Sequence, residues 1–95
     1  MRNIRFYINP ETHLPHIYKH RVTEEEVEDV LSHTSEDRLG REGTRVTIGQ
    51  TQAGRYLRVI YVTDPESGNI FVIAAYDLRG KALLAYRRRR RGRKR

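Results

Sequence analysis

The chain has no cysteine, which excludes disulfides and thiolate metal sites and suits a reducing compartment. It also lacks a long apolar run. The longest, Ile70–Tyr76, is far short of a membrane span, and the opening "MRNIRFYINP" has none of the apolar stretch of a signal peptide. A cytoplasmic location is the expectation. There is no phosphate-binding glycine loop and no Walker lysine; Gly40 and Gly43 read as loop punctuation. Ser32, Ser35 and Ser67 lack the context of an activated nucleophile, and Asp64 and Glu66 sit with Ser67 in a turn. No cofactor is implied. Ninety-five residues, 37% of them apolar, suffice for one domain with a modest core.

Positive charge is abundant, and unevenly spread. Lys and Arg number 19 against 12 Asp and Glu. In residues 87–95, "RRRRRGRKR", every position but Gly92 is cationic; without those eight, residues 1–86 hold 11 cations against 12 anions. The expectation is a near-neutral globular body, 1–86, followed by a basic tail, 87–95, partly helical or disordered. The attraction to nucleic acid that a pI near 10 suggests belongs mainly to the tail.

Hydrophobic periodicity divides the body. "NIRFYI" (3–8) alternates Ile4, Phe6 and Ile8 with polar positions, as a half-buried strand does, and Asn9-Pro10 stops it. "ETHLPHIYKH" allows a short helix starting close to Pro15. In "VTEEEVEDVL", Thr23 and Glu26 have the spacing of a capping box and Val22 and Val27 that of a hydrophobic staple. Glu24, Glu25 and Glu26 suit the positive end of the helix dipole, Val27, Val30 and Leu31 form its apolar stripe, and the helix should fade near 32–35. "TSEDRLGREG" reads as a polar loop. Three strands follow. "TRVTIGQT" directs Val46 and Ile48 one way and Arg45 and Thr47 the other, while "RYLRVIYVT" and "NIFVIAAY" are apolar on both faces, as central strands are. From Arg79, "RGKALLAYRRRRR" predicts a last helix running to Gly92. The order strand, helix or helices, three antiparallel strands, helix is α+β, with helices packed on a small sheet.

His13, His16 and His20 are spaced to share one face of a helix, where neutral imidazoles could hold zinc. With no fourth ligand and with Pro15 interrupting, a solvated polar stripe is the preferred reading, and no metal is expected. Cations and tyrosines gather late in the chain, at Arg55, Tyr56, Arg58, Tyr61, Tyr76, Arg79 and Tyr86. Arg neutralises phosphate and Tyr stacks on bases, a combination suited to RNA. Taken singly, each has a plainer role: tyrosines fill the core and arginines solvate the edges.

The order of these segments resembles BrnT-type toxins. In that family a strand ends in Asp-Pro and a Lys-His-Gly-Val-Ser segment follows; here Asn9-Pro10 and Lys19-His20-Arg21-Val22-Thr23 fall in the same register. "RVTIGQTQAGRYLRVIYVT" is similar to the family's Ile-Gly-x-Thr-x-x-Gly-Arg-x-Leu stretch, and "FVIAAYDLRGKALLAY" to its Ile-Ser-Ala-Arg segment and closing Tyr. The resemblance spans most of residues 4–86 and leaves out the arginine tail. It implies a RelE-like fold, ribonuclease activity on mRNA and neutralisation by a cognate antitoxin. Lys19, His20 and Arg55 match by position. The family's lysine after Asp-Pro is Thr12 here, its asparagine is His16, and its late arginine is Tyr76, with Arg79 available as a cation one turn on.

The catalytic set implied is Lys19, His20, Arg55, Tyr76 and Arg79, with the RNA 2′-OH as nucleophile. An imidazole suits general acid–base work at neutral pH, and cations stabilise charge at the scissile phosphate. RNA-binding residues would be Arg58, Tyr86, Arg87, Arg88, Arg89, Arg90, Arg91, Arg93, Lys94 and Arg95. The alternative is a non-catalytic RNA- or ribosome-binding module on the same scaffold, favoured by the near-neutral body and the missing arginine.

Overall fold

In a computed structural model of the chain, the three antiparallel strands form the middle of a five-stranded sheet. The structure describes residues 3–34 and 36–93, the side chain of Arg93 excepted; Lys94 and Arg95 lie outside the described residues. The strands are β1 (Ile4–Phe6), β2 (Glu36–Leu39), β3 (Arg45–Gln50), β4 (Tyr56–Thr63) and β5 (Ile70–Asp77), and the helices are α1 (Glu24–Ser32) and α2 (Gly80–Arg93). The sheet order is β1-β5-β4-β3-β2, with β1 parallel to β5 and the other pairs antiparallel. The fold is α+β.

Register explains how one sheet serves two cores. Opposed residues share a face, so Thr47, Val59 and Ala75 point together, and Ile48, Arg58 and Tyr76 point the other way. On the first face Leu57, Val59, Tyr61, Val72 and Ala75 pack with Ile17 and with Val22, Val27 and Val30 at and within α1. Val72 and Ala75 are three apart and would alternate to opposite faces; the register shift beside Ile60 and Tyr61 brings both inward. On the second face a smaller cluster joins Ile48, Leu78 and Tyr86, with Tyr56 and Leu83 against it. That cluster docks α2.

The capping box forms as its spacing requires: Glu26 N–H donates to Thr23 Oγ1 at 3.1 Å and Thr23 N–H donates to Glu26 Oε1 at 3.0 Å. Val22 and Val27 are both buried.

Several expectations need correction. Residues 36–39 are not loop but the edge strand β2. "EDRL" has no apolar alternation because charge pairs help hold it: Asp37 accepts from Arg45 Nε at 2.6 Å and from the Tyr61 hydroxyl, and Glu36 accepts two bonds from Arg89. A 3-10 turn, Arg41–Gly43, follows it. Thr47 points away from Val46 and Ile48, as its spacing requires, and is fully buried there, its hydroxyl donating to the Glu36 carbonyl at 2.8 Å. The first strand ends at Phe6; Ile8 makes only a bridge to Pro15 and stays exposed. His13 is outside any helix at φ 60°, and residues 16–20 form a 3-10 helix, so the three histidines share no helical face. Among the described residues no helix is long and apolar enough to cross a membrane.

Candidate functional site

The 3-10 helix His16–His20 lies beside β5 with Ile17 fully buried, which fixes how Lys19 and His20 leave it. Arg21 then takes the left-handed conformation, φ 59°, and its N–H closes the helix on the Tyr18 carbonyl at 3.0 Å. This is where the resembling family has glycine, the residue for which that conformation is free of Cβ strain. Beyond Arg21 the capping box starts α1.

Beside this turn, the end of β5 and the approach to α2 bring Tyr76, Asp77 and Arg79 against Lys19, His20 and Arg21. Together they line a shallow, open depression of about 330 Å3. Four of the five residues of the implied catalytic set meet here: Lys19, His20, Tyr76 and Arg79. The His20 and Tyr76 rings are 5.5 Å apart, centre to centre, and His16 approaches His20 at 6.0 Å.

Arg55, the fifth, does not line the depression but braces it. Its Nε donates to Asp77 Oδ1 at 2.7 Å, and its Nη1 donates at 2.8 Å both to Glu26 Oε1 and to the Arg21 carbonyl. Nη2 reaches the His20 carbonyl at 3.4 Å. One guanidinium thus joins the capping box, the end of β5 and the backbone that carries His20. Arg79 Nη2 also donates to Asp77, at 2.7 Å. The Arg55 hydrogen bond, with Arg79 adding to it, holds the Asp77 carboxyl below its usual range despite partial burial. Asp77 therefore offsets two of the site's cations.

Thr12 and His16, which stand where the resembling toxins have lysine and asparagine, line an adjoining depression of about 250 Å3 that shares Lys19. Asn9 shapes it: its side chain accepts from Glu11 N–H at 2.8 Å and lies 3.4 Å from His16 Nδ1.

The RNA-binding set divides. Tyr86 is buried at 2% exposure, so its ring serves the core. Arg58 is half-buried on the α2 face, directly across from Tyr76, and its Nε is enclosed with no hydrogen-bond partner among the described residues. Arg87 to Arg91 are on α2, which is helical through Arg93. Arg89 is bound to Glu36 by 2.6 and 2.9 Å bonds, and the Arg87 guanidinium lies 5.2 Å from the Tyr56 ring centre. Sequence reasoning grouped Tyr56 with the late tyrosines without pairing it to Arg87, and it missed Asp77 as the hub; the Arg55–Asp77 pairing across 22 positions left no local signal. Among the described residues no three His, Asp or Glu are grouped to hold a metal ion. No family model matches the chain, and neither does any curated protein or solved structure.

Proposed function

We propose that the chain is a RelE-like, BrnT-type endoribonuclease that cleaves mRNA at the His20 depression and is neutralised by a cognate antitoxin. The observation that carries this reading is the convergence of Lys19, His20, Tyr76 and Arg79, from two distant stretches of sequence, around one depression. In the reaction the RNA 2′-oxygen attacks the adjacent phosphorus while its proton passes to His20. The new 2′-O–P bond gives a cyclic phosphate, the P–O5′ bond breaks, and the 5′-oxygen leaves with a proton drawn from solvent water. Lys19 and Arg21 stabilise the charge on the phosphoryl oxygens, Arg79 adds to them when it swings from Asp77, and Tyr76 stacks or donates. Arg55 is a positioning residue in this scheme.

The alternative, a binding module without chemistry, is favoured by one observation: Asp77 engages both Arg55 and Arg79, leaving fewer cations for phosphate. The test is cleavage of labelled mRNA, with and without ribosomes, by wild type and by His20→Ala and Lys19→Met. Cutting by wild type and its loss in both folded variants is the expected result. No cutting by wild type under either condition would overturn the endoribonuclease reading and favour the binding module.

A further inference from the structure

We propose that the groove between α2 and the end of β3–β4 is a separate binding site for the phosphodiester backbone of single-stranded RNA. It is a concavity of about 270 Å3, on the scale of a single nucleotide, lined by His33, Gln50 and Tyr56 with Arg87, Arg90 and Arg91 of α2. Three features distinguish it from a solvated run of charge.

First, the helix that carries it is docked. Tyr86 is buried in the second core, and Arg89 grips Glu36 on the edge strand, so the arginines are held against the body. Second, they are in phase. Positions 87, 90 and 91 are three and four apart and share one face, with a rise of about 4.5–6 Å between neighbours along it. Arg87 is further seated on Tyr56 by a cation–π contact. Third, among the described residues no carboxylate lines the groove. Arg87 and Arg91 stand one turn apart, where like charges repel, and an anion laid along them relieves the repulsion while the guanidinium forks match phosphate oxygens.

A phosphodiester suits the groove better than an acidic peptide. Peptide and protein partners draw most of their affinity from apolar or aromatic anchors in sockets. Among the described residues the exposed aromatic surface of the lining is Tyr56, which Arg87 and Tyr86 already cover, and the polar imidazole of His33. Clustered guanidinium charge is what the groove offers, and a nucleic-acid strand supplies the complement.

The experiment is anisotropy titration of a labelled 2′-O-methyl oligoribonucleotide, which 2′-OH attack cannot cleave, so binding is read apart from any chemistry at His20. The Arg87→Glu, Arg91→Glu pair is expected to bind at least about tenfold more weakly at low salt, with the log-affinity against log-salt slope shallower by about 0.7 for each phosphate no longer neutralised. The neutral Arg87→Gln, Arg91→Gln pair should move affinity the same way, so misfolding of the reversal pair would not decide the matter. Lys81→Glu, on the same helix but outside the groove, should have a much smaller effect. Unchanged affinity in both pairs, an equal loss from Lys81→Glu, or displacement of the RNA by polyglutamate at matched charge would each overturn the proposal.

Discussion

Arg55 donates to two carboxylates and two backbone carbonyls, and so it couples the stability of the turn to the geometry of His20. Arg55→Lys keeps the charge but loses the planar fork; a loss of about 1–3 kcal/mol is expected in urea denaturation, as for hydrogen bonds to charged groups. Arg21 is the opposite case, an ordinary residue held at φ 59°. Arg21→Gly keeps the carbonyl that accepts from Arg55 and removes Cβ strain, so a gain of about 0.5–1 kcal/mol is expected, part of it offset by the greater freedom of Gly when unfolded. A lower denaturation midpoint would count against this. Asp77 sets a pH dependence. Its folded pKa lies below the unfolded value of about 3.9, so its contribution is present above that pH and fades as pH falls through the folded pKa. Asp77→Asn should flatten the loss of stability below about pH 4, and acid melts that superimpose on wild type would show the pair to be idle. The capping box was legible because it is local; the Arg55–Asp77 pair was not, because register alone brings it together.

At the scale of elements, legibility tracked apolar content. α1 and the two central strands were marked by buried Val, Leu and Ile, whereas β2 carries its information in partners elsewhere in the chain. The burial of Thr47 is of the same kind, since its hydroxyl is satisfied by the Glu36 carbonyl of β2 and not by a neighbour in sequence. Two changes test this packing. Thr47→Val leaves the Glu36 carbonyl without that donor and is expected to cost about 1–3 kcal/mol. Gly49 is where α1 rests on β3: a Cβ there would meet Val30 Cγ1 at 3.1 Å and the His33 carbonyl at 3.4 Å. Val30 is fully buried and β-branched, so it cannot step aside. Gly49→Ala should therefore destabilise by about 1–3 kcal/mol, the usual cost of overpacking, and equal stability by thermal melt would mean that α1 shifts freely.

For the whole molecule, the α+β class was readable but the strand order was not. Nothing in "NIRFYI" states that it will lie parallel to a strand 66 positions later, as Ile4 does beside Ile70. That separation also orders folding. β3, β4 and β5 are joined by the short connections 51–55 and 64–69, whereas pairing β1 with β5 closes a loop about three doublings longer. At roughly 0.6 kcal/mol per doubling this adds about 2 kcal/mol of closure entropy, which a three-residue strand cannot recover before the rest of the core exists. The meander with α1 should form the folding nucleus, and β1 should dock after the transition state. Val59→Ala, at the centre of the first core, is then expected to slow folding with a φ-value of about 0.5 or more. Phe6→Ala, which loosens β1 against the same core, is expected mainly to speed unfolding, with φ of about 0.3 or less. Chevron plots of the two variants decide it: if Phe6→Ala retards folding as much as Val59→Ala does, β1 belongs to the nucleus and the long loop closes early.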